Sequence, residues 1–358
     1  MKRWTRDSGL ALAELVVATA VSLAVSGALM ALVRLAASAA RTQPEAADVG
    51  QRLRSGVDAI VSRLEVAGAG AVAGGGSVPL AQRVAVVFPH RRAVTGGDGP
   101  LGTFTDRITT YAVAEASALA ALATPMSSSS APVALAPVAG CAQSTPTCHF
   151  LPGDVVIVFD ATGQHDLAVV SSVDPTALSF AHGLSQPYSP AAGAAVVKAD
   201  VRSLVHDTAR AQIRLTTAAG ANQPLVDDVV QFTVSYLGSP LPPAGPRPPP
   251  GIANCVLDGA GEPTLPELPA TWGGLAALTA EVLGDGPVCG SGRAAFDADL
   301  LRIRALRVTL RVQAGHPSFR SANPRFFRRP GFATDPRSMV PDEEVTFDVS
   351  LPNLRGTP

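Results

Sequence analysis

Residues 9–33 read GLALAELVVATAVSLAVSGALMALV, an apolar run interrupted near its start by one carboxylate, Glu14. The nineteen residues from Leu15 to Val33 carry no charge. As a helix they would rise roughly 28 Å, close to the ~30 Å hydrocarbon core of a bilayer. The segment before them, MKRWTRDSG, holds Lys2, Arg3 and Arg6 against a single Asp7. A basic start followed by a long apolar run is the order of an export or anchoring signal.

Two plain readings leave something over. A cleaved secretory signal would use the A-x-A pattern at Ala37, Ser38 and Ala39. Its apolar region would then be far longer than the usual ~7–15 residues, with Glu14 inside it. A signal anchor, its positive end retained in the cytoplasm, accounts for the length and the basic start. It leaves Glu14 unexplained, and a glutamate in lipid costs roughly 2–3 kcal/mol unless it meets a partner.

Gly9 followed by Leu10, Ala11, Leu12, Ala13 and Glu14 resembles the processing site of type IV prepilins. In that family a membrane peptidase cuts after the glycine, the new N-terminus is methylated, and the glutamate five residues into the mature chain is the characteristic charge. The resemblance implies a leader of residues 1–9 ending at Gly9, a methylated N-terminus at Leu10, and an assembly role for Glu14. Leu10 stands where the family usually has phenylalanine, and Ala11 and Ala13 replace the common Thr and Ile or Val. The physical logic is that a carboxylate in lipid is tolerated when it meets the amino terminus of a neighbouring subunit. Such a charge would drive and register assembly.

Arg34 and Arg41 follow the apolar run. They suit either snorkelling to the far interface or the exposed part of one continuous helix. Pro44 is expected to bend or restart that helix. Beyond it Val49, Leu53, Val57, Ile60, Leu64 and Ala67 recur at steps of three and four, one apolar helical face. AGAGAVAGGG at 67–76 ends the element. The expectation is a helix over residues 10–70, membrane-spanning at about 10–34. Its second half would pack on a head formed by residues 71–358.

The chain of 358 residues is 47% hydrophobic, enough for a real core, while 33 Gly and 31 Pro favour loops and sheet over helix beyond the N-terminus. Strand signals fall at RVAVVF (83–88) and DRITTYAV (106–113). GDVVIVFD (153–160) and DLAVVSSV (166–173) read as a hairpin about ATGQH. ALSFAH, AAVVKAD, AQIRLTT and VVQFTVSYL continue it as an antiparallel meander. A proline-rich stretch, SPLPPAGPRPPPG (239–251), opens an insertion spanning about 239–295, with a short helix expected near Leu275–Leu283. FDADLLRIRALRVTLRVQ (296–313) returns to strand, with a bulge near Ala305 reconciling two apolar phases and Arg307, Thr309 and Arg311 facing water. EEVTFDVSLPNLR supplies the last strand. This order resembles the C-terminal sheet of PilW-type minor pilins and of the J-type subunits of type II secretion. The fold class expected is α+β, and the resemblance implies a type IV pilin-like arrangement of a long N-terminal helix packed on an antiparallel head that carries the disulfide-bearing insertion.

Cys141, Cys148, Cys255 and Cys289 suit disulfides in an oxidising compartment. Three connectivities exist, and local pairing is preferred because the first two share CAQSTPTC while the last two bracket the insertion. Zinc on Cys141, Cys148 and His149 is disfavoured by the spacing and the missing fourth ligand. His90, His149, His165, His182, His206 and His316 form no catalytic motif and are expected at the surface. Asp297 and Asp299 read as strand-entry capping rather than a calcium loop. RSANPRFFRR (320–329) mixes cations and aromatics as a DNA-binding patch would. With a net charge of −1, a solvated loop or a contact with an acidic neighbour is preferred, and nucleic acid is not an expected partner.

The expectation for function is a structural subunit, not an enzyme, without cofactor or metal. It would serve the assembly, initiation or tip of a type IV pilus, or a type II secretion pseudopilus as a J-like subunit. The resemblance implies prepilin peptidase/methyltransferase, other minor pilins, the major pilin and the inner membrane as partners. It places the chain in a bacterial inner membrane as a single-pass protein with a periplasmic head, and then in a filament. The reading from another class is a periplasmic binding or enzymatic domain on an uncleaved signal anchor.

Overall fold

Among the described residues one long α-helix, α1 (Ser8–Leu64), comes first and runs for 57 residues. The computed structural model describes residues 8–72, 78–89, 104, 106–114, 119–292 and 295–354. Pro44 lies inside α1, so the expected restart does not occur. A proline there removes one bond of the ladder, and the bonds on either side carry the helix across. The helix ends at Leu64 rather than near residue 70, in turns closed by Ala67 N–H to Leu64 O (3.0 Å) and Ala69 N–H to Val66 O (2.9 Å). Asn353 Nδ2 donates to the carbonyls of Glu65 (3.0 Å) and Ala67 (3.2 Å), two acceptors left over at the helix terminus. Gly68 sits there at φ 72°, where a Cβ would lie 2.8 Å from Leu354 Cδ2. Both the left-handed backbone and the close approach call for glycine.

Two compact units divide the chain: Met1–Gln51 with Gln313–Glu343, and Arg52–Val312 with Glu344–Pro358. The second contains the last turns of α1. Its main strands are β1 (Arg107–Val113), β2 (Val155–Phe159), β3 (His165–Val173), β4 (Ala177–Phe180), β5 (Ala195–Asp207) and β6 (Gln212–Thr217). They are followed by β7 (Asn222–Val226), β8 (Val229–Gly238), β9 (Ala276–Leu278) and β10 (Ile303–Val312), with β11 (Glu343–Ser350) completing the set from its second residue onward.

The first sheet runs β7-β6-β5-β2-β3-β4 and ends on the two-residue strand Val133–Ala134. Strand β5 organises it. Its first residues pair with β2 on one edge and with Leu119–Ala121 on the other. Its later residues pair with β1 and with β6. The hairpin of β2 and β3 has the register Ile157↔Leu167, as the turn at ATGQH requires. Strand β7 carries Pro224 at the sheet's edge, where a missing donor does no harm. Every residue of β2 is buried, so both faces of the sheet are covered there. A core of Leu122, Leu135, Phe150, Val156, Val158, Val170, Leu178, Tyr188 and Val196 fills one side.

The second sheet is antiparallel in the order β9-β8-β10-β11. Strand β8 thus does not continue the first meander but begins a separate sheet, and the insertion lies between its two central strands. The register of β8 on β10 shifts between Leu237↔Ala305 and Gly238↔Ile303, which is the expected bulge. Leu306, Val308, Leu310 and Val312 are buried in alternation. The outward residues are only half exposed. Arg307 lies 3.2 Å above the Trp272 ring and reaches both Asp348 oxygens at 2.8 Å, and Arg311 pairs with Glu344 at 3.7 Å.

Three local expectations fail. Only Val87–Phe88 of the stretch 83–88 is strand, preceded by a 3-10 turn at Leu80–Gln82. The region 275–283 forms β9 and turns instead of a helix. Arg320 is buried, its guanidinium donating to the carbonyls of Ala314 (2.6 Å) and Gly315, so the start of the basic loop is tied down rather than solvated. Cys141 is bonded to Cys148 (Cα–Cα 5.8 Å) and Cys255 to Cys289 (5.1 Å), the local pairing preferred from the spacing.

Candidate functional site

The feature most in need of a function is the first half of α1. From Leu12 to Ala37 the helix surface is open, every residue in that range being exposed. Leu15, Val17, Val21, Leu23, Met30 and Val33 exemplify this, Leu23 at 74% exposure. These positions lie on all sides of the helix, which is the pattern of a span or a packed bundle rather than of a surface helix on its own head. The helix is long and apolar enough to cross a membrane. Thr19 Oγ1 donates to Val16 O at 2.9 Å, which satisfies its hydroxyl locally inside the apolar stretch.

Glu14 is an exposed carboxylate within this surface, and the backbone at Gly9 and Leu10 is helical. Glu14 follows Leu10 by four residues, so the two positions share one helix face.

The second half of α1 behaves in the opposite way. Val49, Ile60, Leu64 and Ala67 are buried, and Leu53 and Val57 are half-buried, as their spacing predicts. A Cβ added at Gly56 would meet Val226 methyls at 3.1 Å and Leu310 Cδ2 at 3.3 Å, so the absence of a side chain there lets the helix lie close to the sheet strands. Arg52, off the apolar face, pairs with Asp228 at 2.6 Å. In the other unit, Gly315 N–H donates to Glu45 Oε1 at 2.6 Å and a Cβ on Gly50 would approach Glu343 Oε2 at 3.4 Å.

The remaining candidates resolve into structural roles. Asp297 accepts from Asp299 N and Gly286 N, both at 2.8 Å, which is the capping reading. Asp299 ion-pairs with Arg302, a fully buried side chain that also donates to Pro240 O (3.0 Å) and Pro266 O (2.5 Å). Arg302 thereby ties the start of the insertion and a point well inside it to the entry of β10. Burial pushes the Asp299 carboxyl up to about 6, against the pull of Arg302 and with added repulsion from Asp297. Burial likewise raises Asp297, opposed by the backbone amides of Asp299 and Gly286.

His165 is buried, contrary to the surface placement expected of all six histidines. Its ring lies 5.2 Å from Phe296, 5.8 Å from Phe88 and 6.2 Å from Tyr111. His206 Nε2 meets Val229 O at 3.1 Å and His316 Nδ1 meets Ser318 Oγ at 2.7 Å. His90 lies outside the described residues. Sequence reasoning missed Arg302 altogether. The one signal was its spacing of three from Asp299 at a strand entry.

No family model, curated protein or solved structure matches this chain.

Proposed function

We propose that this chain is a minor pilin or pseudopilin, a structural subunit without chemistry of its own. It would be anchored by α1 in the inner membrane and carried into a filament after cleavage between Gly9 and Leu10. The observation that carries the reading is the exposed apolar half of α1 with one carboxylate four residues beyond Leu10, on a helix whose other half is buried along one face. An apolar surface on all sides is satisfied first by lipid and then by neighbouring helices. A carboxylate within it is costly alone and favourable when a cationic N-terminus of another subunit meets it. The antiparallel sheets and the two disulfides support a head that works outside the cytoplasm. Prepilin peptidase and the other pilins are the partners this reading requires.

Glu14→Ala tests the role of the charge. In a host with prepilin peptidase and a pilus or pseudopilus system, the variant is expected to be cleaved like the parent but recovered several-fold less in sheared filaments. Equal recovery would remove Glu14 from assembly.

A further inference from the structure

The residue immediately after the loop closed by Cys141 and Cys148 offers a third group that the disulfide does not use. A ring nitrogen of His149 and the two sulfurs all lie within 4.8 Å of one another. His149 Nε2 is shut off from solvent and has no hydrogen-bond partner among the described residues. Imidazole nitrogens so enclosed usually find a partner. Among the described residues no other trio of cysteine, histidine and carboxylate side chains converges in this way.

The loop is fastened independently of its disulfide. The Thr147 hydroxyl lies 2.8 Å from Asp174 O and 3.0 Å from Pro175 O, and Thr147 is itself buried. Phe150 is anchored in the core of the first sheet. His149 therefore stands between two fixed residues. Backbone bonds from Cys141 N to Val138 O (3.1 Å) and from Cys148 N to Thr145 O (3.2 Å) hold the cysteines in turns. Opening the S–S bond leaves these constraints in place.

We propose that Cys141, Cys148 and His149 form a redox-gated site for one thiophilic metal ion, such as zinc(II): a disulfide when oxidised, a metal thiolate when reduced. A dithiol reductant supplies two electrons and two protons. The S–S bond breaks, two S–H bonds form, and the reductant closes to its own disulfide. Zinc then displaces both thiol protons, giving two Zn–S bonds and one Zn–N bond, with a water in the fourth position. Zn–S bonds of about 2.3 Å at a tetrahedral angle put the two sulfurs roughly 3.8 Å apart, so the reduced side chains must swing away from the bonded arrangement to admit the metal. Cys148 is exposed, which leaves this end of the trio open to solvent. Three protein ligands with a free fourth position remove the objection that a closed structural site needs four. Nothing in this site depends on the pilin reading.

The test uses the full chain in detergent micelles, reduced with a dithiol, freed of it under argon, and titrated with Zn²⁺ against a chromophoric chelator. Cobalt(II) gives a parallel spectroscopic readout of thiolate ligation. Reduced protein is expected to bind one equivalent more than the Cys141→Ser, Cys148→Ser double variant, and oxidised protein to lack that equivalent. His149→Ala should weaken binding by roughly tenfold or more, in line with the sensitivity of metal sites to lost ligand interactions. It should also change the cobalt spectrum while leaving the sheet signature in circular dichroism intact. Equal zinc uptake by reduced parent and double variant, equal uptake by oxidised protein, or undiminished affinity in His149→Ala would each overturn the site. Because His149→Ala keeps both cysteines, it decides the matter even if the double variant folds poorly.

Discussion

The two halves of α1 share one backbone and differ in what lies opposite them. Residues 12–37 are exposed on every side, whereas Val49, Ile60, Leu64 and Ala67 are buried at helical spacing. The difference is already written in the side chains. The first half is apolar all round, while the second alternates an apolar face with Arg54, Asp58 and Glu65 at exposed positions. A helix with one apolar face can complete a head within its own chain. A helix apolar on all sides needs a medium or other helices.

That contrast can be broken by substitution. Ile60 is fully buried, so Ile60→Ala should destabilise the unit containing both sheets by about 2–5 kcal/mol, read as a lowered midpoint in thermal or denaturant unfolding. A loss well below this would mean that the second half of α1 does not complete the core. The next effect is one of pH. The Asp299 carboxyl is raised to about 6 by burial, so the folded chain holds this proton more tightly than the unfolded one. Its contribution is full below an unfolded pKa of about 4 and is lost as pH rises through about 6. Asp297, also raised, acts with the same sign. Asp299→Asn should flatten the fall in melting temperature between those limits, and an unchanged slope would contradict the assignment. The smallest effect is expected in the exposed half. Leu23→Ala should change the stability of the sheets by less than about 0.5 kcal/mol, since no described residue covers it. A larger change would mean that the two halves are not distinct in this sense.

How far each feature could be read beforehand follows from the range of its interactions. The helix and its buried face depend on spacings of three and four residues, and Val49 through Ala67 displayed them. The hairpin of β2 and β3 was equally local, closed by five residues between two apolar runs. The split into two sheets was not legible, because β8 pairs with β10, from which about sixty residues of insertion separate it. The burial of His165 depends on Phe88, Tyr111 and Phe296, which only the fold assembles. Short apolar runs carry no decisive period, which is why Ala276–Leu278 was expected as helix and is strand. Of the candidate site, Glu14 and the uncharged run were plain in the sequence, and the structure adds their exposure. The trio of Cys141, Cys148 and His149 was visible as neighbours, while the enclosure of the imidazole nitrogen was not.

The central claim is that the chain is cut after Gly9 and works from Leu10 onward. Intact-mass and N-terminal analysis of the protein made in a host with prepilin peptidase tests it most directly. The account predicts a chain beginning at Leu10 and carrying one methyl group on its amino terminus. A chain that retains Met1, or one that begins near Arg41, would contradict it.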